Sequence, residues 1–266
     1  LESYAGCKRF DPQDYADRIC AIFREGRIVG RGRATSEAAR RLAEGITWEE
    51  AGTPPPSAGN GSAMRAGPIG LLFFDDPEGL IQAADDQGRI THRDRRCSAG
   101  AVAIAGGVAL AITSRVIDRD GFLTQLGKWV EKIEGSVASL IRQLSEWISL
   151  PPDEAVSFIS KAGLDSGGMD RWEGISPFVI PSVLWSLYSF LRSPEDYWET
   201  ICTAIAVGGD VDTTAAMAGA ISGAYLGVDA IPLQPASRLT DQGNWGYPEL
   251  IELAHRCYDL KMKRLH

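Results

Sequence analysis

The 266 residues predict an all-α protein built as one many-helix domain. Three observations carry this. Apolar residues recur at helical spacing along most of the chain. Period-two alternation, the mark of a half-buried strand, persists nowhere. One segment, Ser98 to Ser114 (SAGAVAIAGGVALAITS), is apolar on all sides, as a helix enclosed by other helices must be.

Taken in order, Asp11 to Phe23 places Tyr15, Ile19, Ile22 and Phe23 on one helical stripe, and Ser36 to Glu44 is rich in the helix formers Ala, Arg and Glu. Gly52 to Gly61 (GTPPPSAGNG) reads as loop, because its prolines lack donors and its glycines disfavour helix. Ser62 to Phe74 is apolar and compact. Phe122 to Leu150 is again helical, with Trp129, Ile133, Leu140 and Trp147 in phase; Pro151-Pro152 ends it and Asp153 opens the next helix. Ile175 to Leu191 is an apolar helix in which Pro181 predicts a kink. Ser193-Pro194-Glu195 has the form of a helix start, a Ser cap followed by Pro. No internal repeat or interdomain linker divides the chain, so one domain over residues 1–266 is the economical reading.

A formal net charge of −8 argues against a nucleic-acid partner, which requires clustered Lys and Arg on one face. The only dense basic stretch, Arg89 to Arg96, is interrupted by Asp94 and reads as a solvated loop. The five cysteines are odd in number, widely spaced and without a CxxC pair, which disfavours zinc and fits buried thiols in a reducing compartment. The longest apolar run, Ala99 to Ile112, is about fourteen residues, short of the ~20 a membrane span needs. A cytoplasmic protein with no membrane partner is expected.

The most informative stretch is Val207 to Gly227, VGGDVDTTAAMAGAISGAYLG. Ala215, Gly219, Gly223 and Gly227 fall four apart, a stripe of small residues on one helix face that suits close packing of a neighbour. Ahead of it, Gly208-Gly209 turns the chain into the helix, and Asp210, Asp212 and Thr213 follow within four residues. Two readings stand side by side. The carboxylates cap the helix start, or they and the hydroxyl form an oxygen-only set for a hard cation such as Mg²⁺, Mn²⁺ or Ca²⁺.

GGDVDTTAAMAGAISGAYLG resembles the C-terminal signature of the ADP-ribosylglycohydrolases, the family of dinitrogenase-reductase-activating glycohydrolase. GNGSAMRAGPIG (Gly59 to Gly70) resembles that family's central motif, and Ile90-Thr91-His92 before the apolar helix resembles its Thr-His segment. Phe10-Asp11-Pro12 and Pro248-Glu249-Leu250 fit as well, so the resemblance runs over nearly the whole chain. It implies an all-α fold around a cleft holding two Mg²⁺ or Mn²⁺ ions, and a hydrolase that cleaves the glycosidic bond joining ADP-ribose to an arginine, serine or other acceptor on a protein or small molecule. On the matching positions it implies Asp210, Asp212 and Thr213 as metal ligands, with Asp210 and Asp212 at the catalytic centre. Gly59, Asn60, Gly61, Ser62 and Met64 would form the substrate loop, and His92 would lie beside the ADP-ribose. The N–H groups of Gly61, Ser62 and Ala63 would suit its pyrophosphate. Arg65 extends the loop motif and equally suits a structural ion pair.

The resemblance also implies a second ligand set, a Thr-Asp-Asp-Thr motif preceding the region matched by Leu1-Glu2-Ser3, and no such motif occurs among these residues. Asp75-Asp76 and Asp85-Asp86 stand in the wrong order for that role and read as loop residues. Three arrangements remain open: an N-terminal segment that supplies the ligands, a second chain that supplies them, or a non-catalytic ADP-ribose-binding or structural relative of the family. Acceptor specificity is expected in loops such as Asp165 to Gly174, where Trp172 is expected to pack inward.

Overall fold

The computed structural model describes residues 1–164, 172–241, 243 and 245–265. Fifteen α-helices run through the described residues, and the fold class is all-α as the periodicity predicts. An N-terminal group comprises α1 (Glu2–Cys7), α2 (Pro12–Arg24), α3 (Arg33–Ala43) and α4 (Trp48–Ala51). There follow α5 (Gly67–Leu72), α6 (Pro77–Arg89), α7 (Arg95–Thr113), α8 (Arg119–Glu131), α9 (Gly135–Gln143), α10 (Pro152–Ile159), α11 (Val179–Arg192), α12 (Tyr197–Ile205), α13 (Val211–Leu226) and α14 (Leu233–Ala236). A two-residue antiparallel ribbon, β1 (Thr240–Asp241) with β2 (Trp245–Gly246), leads into α15 (Tyr247–Leu265). The ribbon is too short for a period-two pattern to register in the sequence.

The helix α7 is the axle. α5, α6, α8, α9, α11 and α13 all pack against it, so almost every face is covered, which is why its sequence is apolar all round. At 19 residues it is longer than the apolar run suggests and passes a length-and-composition test for a membrane span, but 78% of that window is buried against its own protein. α11 is enclosed as thoroughly: every residue from Val179 to Leu191 is buried. Its Trp185 stacks on Tyr188 with ring centroids 4.8 Å apart and donates its indole N–H to the Ala204 carbonyl at 3.0 Å.

Several local expectations are corrected. Pro181 does not kink α11; it lies in the first turn, where the helix requires no N–H from it. The cap of α12 is Asp196, whose carboxylate accepts the Glu199 N–H at 2.9 Å, whereas Ser193 ends α11. Asp76 caps α6 through the Gly79 N–H at 3.0 Å, and Asp85 and Asp86 lie inside that helix rather than in a loop. Residues 165–171, the core of the expected specificity loop, lie outside the described residues, and Trp172 beside them is 55% exposed instead of packed. The small-residue stripe of α13 does receive a neighbour. A Cβ at Gly219 would stand 3.1 Å from Ile201 and 3.2 Å from the Tyr197 hydroxyl of α12. Gly227 is not part of the stripe: with φ of 80° it terminates the helix.

Replacing Trp185 by Ala leaves a cavity at the α11–α12 contact and takes one of two donors from the Ala204 carbonyl, which keeps the Thr214 hydroxyl at 3.2 Å. A loss of about 3–5 kcal/mol is expected, read from the shift of the urea midpoint at unchanged m-value.

Candidate active site

The Gly52–Gly61 loop is pinned at both ends by backbone hydrogen bonds. At its start, the Thr53 N–H donates to Thr91 O at 3.0 Å and the Arg93 N–H donates to Thr53 O at 2.8 Å. At its end, the Asn60 N–H donates to Pro177 O at 2.9 Å and the Val179 N–H to Ala58 O at 3.0 Å, an antiparallel bridge between Gly59 and Phe178. The buried Cys97 thiol donates to Gly59 O at 3.3 Å, and burial holds that thiol protonated, its pKa pushed up to about 12.

The extended stretch Ile175–Phe178 has a second partner on its other side. The Asp210 N–H donates to Ile175 O at 2.7 Å and the Ile175 N–H to Gly208 O at 3.2 Å. The contact leaves no room for a side chain at Gly209: a Cβ there would fall 2.1 Å from Ile175 O, and φ is 89°. One short segment therefore joins the Gly-Asn-Gly loop to the Asp-Val-Asp-Thr helix start. The result is a contact across 150 residues of sequence, Asn60 Nδ2 donating to Asp210 Oδ2 at 2.6 Å. The second amide hydrogen of Asn60 goes to the Ser182 hydroxyl at 2.9 Å, and that hydroxyl donates in turn to Ser176 O at 2.8 Å.

The geometry bears on the capping reading of the acidic pair. Asp210 stands at the N-cap of α13, yet its side chain makes no capping hydrogen bond. Its oxygens turn instead to Asn60 and to the Thr213 hydroxyl, which donates to Oδ1 at 3.1 Å. Asp212 accepts the Thr213 N–H at 2.9 Å and remains exposed. Burial raises the Asp210 pKa above the usual carboxylate range. The Asn60 amide and Thr213 hydroxyl oppose the rise, and the adjacent Asp212 carboxylate adds to it. Among the described residues neither carboxylate forms an ion pair.

The model of the family described as ADP-ribosylglycohydrolase matches residues 1–265. The chain belongs to the ADP-ribosylglycohydrolase family. It is similar to ADP-ribosylhydrolase ARH3 of Gallus gallus, 29% identical over all of this chain and 76% of that protein. To ARH3 of Homo sapiens it is 32% identical, over 76% of this chain and 59% of that one. A solved structure titled ADP-ribosylglycohydrolase-related protein complex superposes with a TM-score of 0.70 at 26% identity, covering 98% of this chain and 77% of that one. As a member of this family the chain is a glycohydrolase, an enzyme that hydrolyses a glycosidic bond.

The remaining family-motif residues fall into place around this core. His92 is 3% exposed and its ring lies under the loop: a Cβ at Gly61 would stand 2.9 Å from its Cε1, and one at Gly59 3.5 Å from its Nε2. Its Nδ1 is 2.8 Å from the Thr91 hydroxyl, which accepts from Arg65 at 2.6 Å and so has its own hydrogen free for His92. Burial, with the Arg65 charge adding, lowers the His92 pKa to about 4, so the ring is neutral with its hydrogen on Nε2. Arg65 forms no ion pair among the described residues; it reaches the neutral acceptors Gly61 O, Gln87 O, Gln87 Oε1 and Thr91. Ser62 lies one layer beneath the loop surface, fully buried, its hydroxyl donating to Cys97 O at 2.9 Å. Met64 is 52% exposed. Residues 60–65 form successive turns rather than a helix start. The Ala63 N–H is engaged by Asn60 O at 3.0 Å, whereas the N–H groups of Gly61, Ser62 and Arg65 lack a partner among the described residues.

Sequence reasoning missed Ser182, Ser176 and the Ile175–Phe178 segment. The available signal was Ser182, Ser186 and Ser189 recurring at helical spacing in an otherwise apolar stretch.

Two outcomes follow. Ser182→Ala frees one Asn60 amide hydrogen, so solvent exchange of that side-chain amide rises by about tenfold or more. Ser186→Ala, equally buried one turn along, leaves it unchanged; side-chain amide NMR reads both. Second, His92 titrates near 4 when folded against an ordinary 6.5, so between those values the unfolded chain binds more protons. Its contribution is intact above about pH 6.5 and lost as pH falls towards 4, on the order of 3 kcal/mol in all. Urea midpoints between about pH 7 and pH 4.5 measure it, and His92→Gln flattens that part of the profile.

Proposed function

We propose that this chain hydrolyses the bond between the anomeric carbon of ADP-ribose and an acceptor, with ADP-ribosyl-arginine as the first candidate, and that Asp210, Asp212 and Thr213 hold a Mg²⁺ or Mn²⁺ ion. The observation that carries the proposal is the Asn60–Asp210 hydrogen bond, which brings the loop motif and the acidic helix start into one site.

The donor set suits such a cation. All three side chains offer oxygen, one carboxylate is partly desolvated, and the two carboxylates crowd each other without a cationic side chain between them. Among the described residues no group of three or more His, Cys, Asp or Glu converges, so these three supply a share of the ligands that two ions require. A hard cation held there would orient the ribose hydroxyls and lower the pKa of a bound water.

The chain's own residues account for the rest. Asn60 fixes the Asp210 carboxylate by one amide hydrogen while Ser182 fixes the amide by the other. The exposed Asp212 faces solvent, where the substrate arrives. As the bond to the acceptor breaks, positive charge develops at the anomeric carbon, and the paired carboxylates stabilise it. The water oxygen bonds to that carbon, and the acceptor leaves with its electron pair and takes up a proton. The unpartnered Gly61 and Ser62 N–H groups suit the pyrophosphate, and neutral His92 underlies the loop that presents them. We also place the protein in the cytoplasm, because its five cysteines are free thiols, as a reducing compartment keeps them.

Incubation with ADP-ribosyl-arginine tests the proposal. ADP-ribose is expected to appear with Mg²⁺, to stop with EDTA, and to fall by about 10²-fold or more for Asp212→Ala. Tight ADP-ribose binding without turnover in Mg²⁺ or Mn²⁺, on arginine-linked and serine-linked substrates alike, would instead identify a non-catalytic reader.

A further inference from the structure

The basic stretch Arg89–Arg96 does not form a solvated loop. Arg89 ends α6, Arg95 begins α7, and Arg96 turns towards the Gly-Asn-Gly loop, bonded to the buried Asp94 and lying over the Phe178 ring. The other arginines converge elsewhere. Arg89, Arg93 and Arg95 line a cleft of about 340 Å³ between the end of α6 and the start of α7, together with Asp85 and Ser98.

Two features mark this cleft as built to receive a ligand. The first is charge. Three guanidinium groups face one carboxylate, and among the described residues none of the four forms an ion pair. Arg93 and Arg95 are held only by backbone carbonyls, of Glu50 and Ile133, and Arg89 makes no hydrogen bond there. Asp86, on the same helix, accepts from Gln82 and does not line the cleft. In a chain of net charge −8, three guanidiniums around one lining carboxylate, with Asp86 near Arg89, are a site of excess positive potential. The second feature is Ser98. It is 2% exposed, its hydroxyl makes no hydrogen bond among the described residues, and it lines the cleft. The side-chain oxygens buried without a partner are those of Ser3 and Ser222; the Ser98 oxygen instead opens on the cleft, within reach of a ligand. The helix start itself is not the binding element, since Asp94 already accepts the Arg96 N–H at 3.0 Å.

We propose that this cleft binds a dianionic phosphate group, either inorganic phosphate or a terminal phosphate monoester, at a site separate from the Asn60–Asp210 centre. The guanidiniums lining the cleft outnumber its lining carboxylate three to one, which suits an anion, and the planar forks of Arg suit phosphate oxygens. Ser98, which lines the cleft, donates a further hydrogen bond to the phosphate.

Calorimetric titration of the chain with inorganic phosphate and with phenyl phosphate, a monoester without the adenosine of ADP-ribose, tests this independently of the ADP-ribose site. One ligand per chain is expected to bind saturably, and the tighter of the two identifies the source of the phosphate. Ser98→Ala and the double variant Arg89→Gln/Arg93→Gln should each weaken binding by about tenfold or more. Asp85→Asn should tighten it by about threefold or more by removing the opposing charge, a gain that no misfolded variant would give. Asp210→Asn should leave it unchanged. No saturable binding of either ligand, an affinity indifferent to Ser98→Ala, or loss of binding on Asp210→Asn would overturn the proposal.

Discussion

The site depends on the two-sided backbone pairing of the Ile175–Phe178 stretch. On one side it holds the Gly-Asn-Gly loop through Pro177 O and the Val179 N–H; on the other it holds the Gly-Gly turn through both polar groups of Ile175. Each such bond contributes only about 1 kcal/mol net, but each buried group left unpaired would cost more, so the stretch is fixed more by the penalty of leaving than by the gain of staying. Its effect is geometric. Two motifs that share no element and no sequence neighbourhood are brought to one hydrogen bond, 2.6 Å between Asn60 and Asp210. Gly209 follows from the same constraint, because any side chain there would collide with the Ile175 backbone.

The electrostatics of the molecule divide along the same lines. At the start of α13 stand two carboxylates, of which Asp210 has a raised proton affinity; at the junction of α6 and α7 lies an arginine cleft lined by a single carboxylate. His92 beneath the Gly-Asn-Gly loop is kept neutral, so the loop rests on an uncharged ring whose second nitrogen is fixed through Thr91 by Arg65. A charged imidazole there would have to be desolvated beside a guanidinium. The neutral tautomer avoids this and leaves the negative potential at Asp210 and Asp212 undiminished.

The helices were legible because their burial is periodic: the all-round apolar Ser98–Ser114 stretch could only be central, and the stripe of α13 could only be a contact. The acidic pair was visible but ambiguous, since capping and coordination use the same residues at a helix start. The Asp210 side chain turns away from the helix N–H groups, whereas Asp212 accepts one of them, a difference that the sequence does not encode. Pro181 was misread because the helix boundary was placed four residues early, which turned a first-turn proline into an interior one. Ser193 was misread for Asp196 because both residues suit a cap, and the choice is made by where α11 runs out. The recurrence of Ser182, Ser186 and Ser189 marks a polar stripe but not the role of Ser182: a serine in an apolar helix usually bonds back to its own backbone, as Ser186 and Ser189 do at 2.8 Å, and nothing in the sequence says that Ser182 reaches outward instead.

The residues that fix the site are also residues of the core. Cys97 belongs to α7, Ser182 to α11 and Thr213 to α13, and these three helices pack against one another along the centre of the molecule. Gly100 of α7 lies directly against Val179, whose N–H pairs with the loop, so the spacing of the two helices sets the height of Asn60 above Asp210. The Ser186 hydroxyl, within reach of Thr214 O at 3.2 Å, ties α11 to α13 one turn below the acidic pair. A close-packed interior responds to volume changes by shifting whole elements rather than by absorbing them locally. Positioning in this enzyme is therefore a property of three helices and one extended segment together, and a substitution that changes the α7–α11 spacing acts on the Asn60–Asp210 bond as directly as one within the loop.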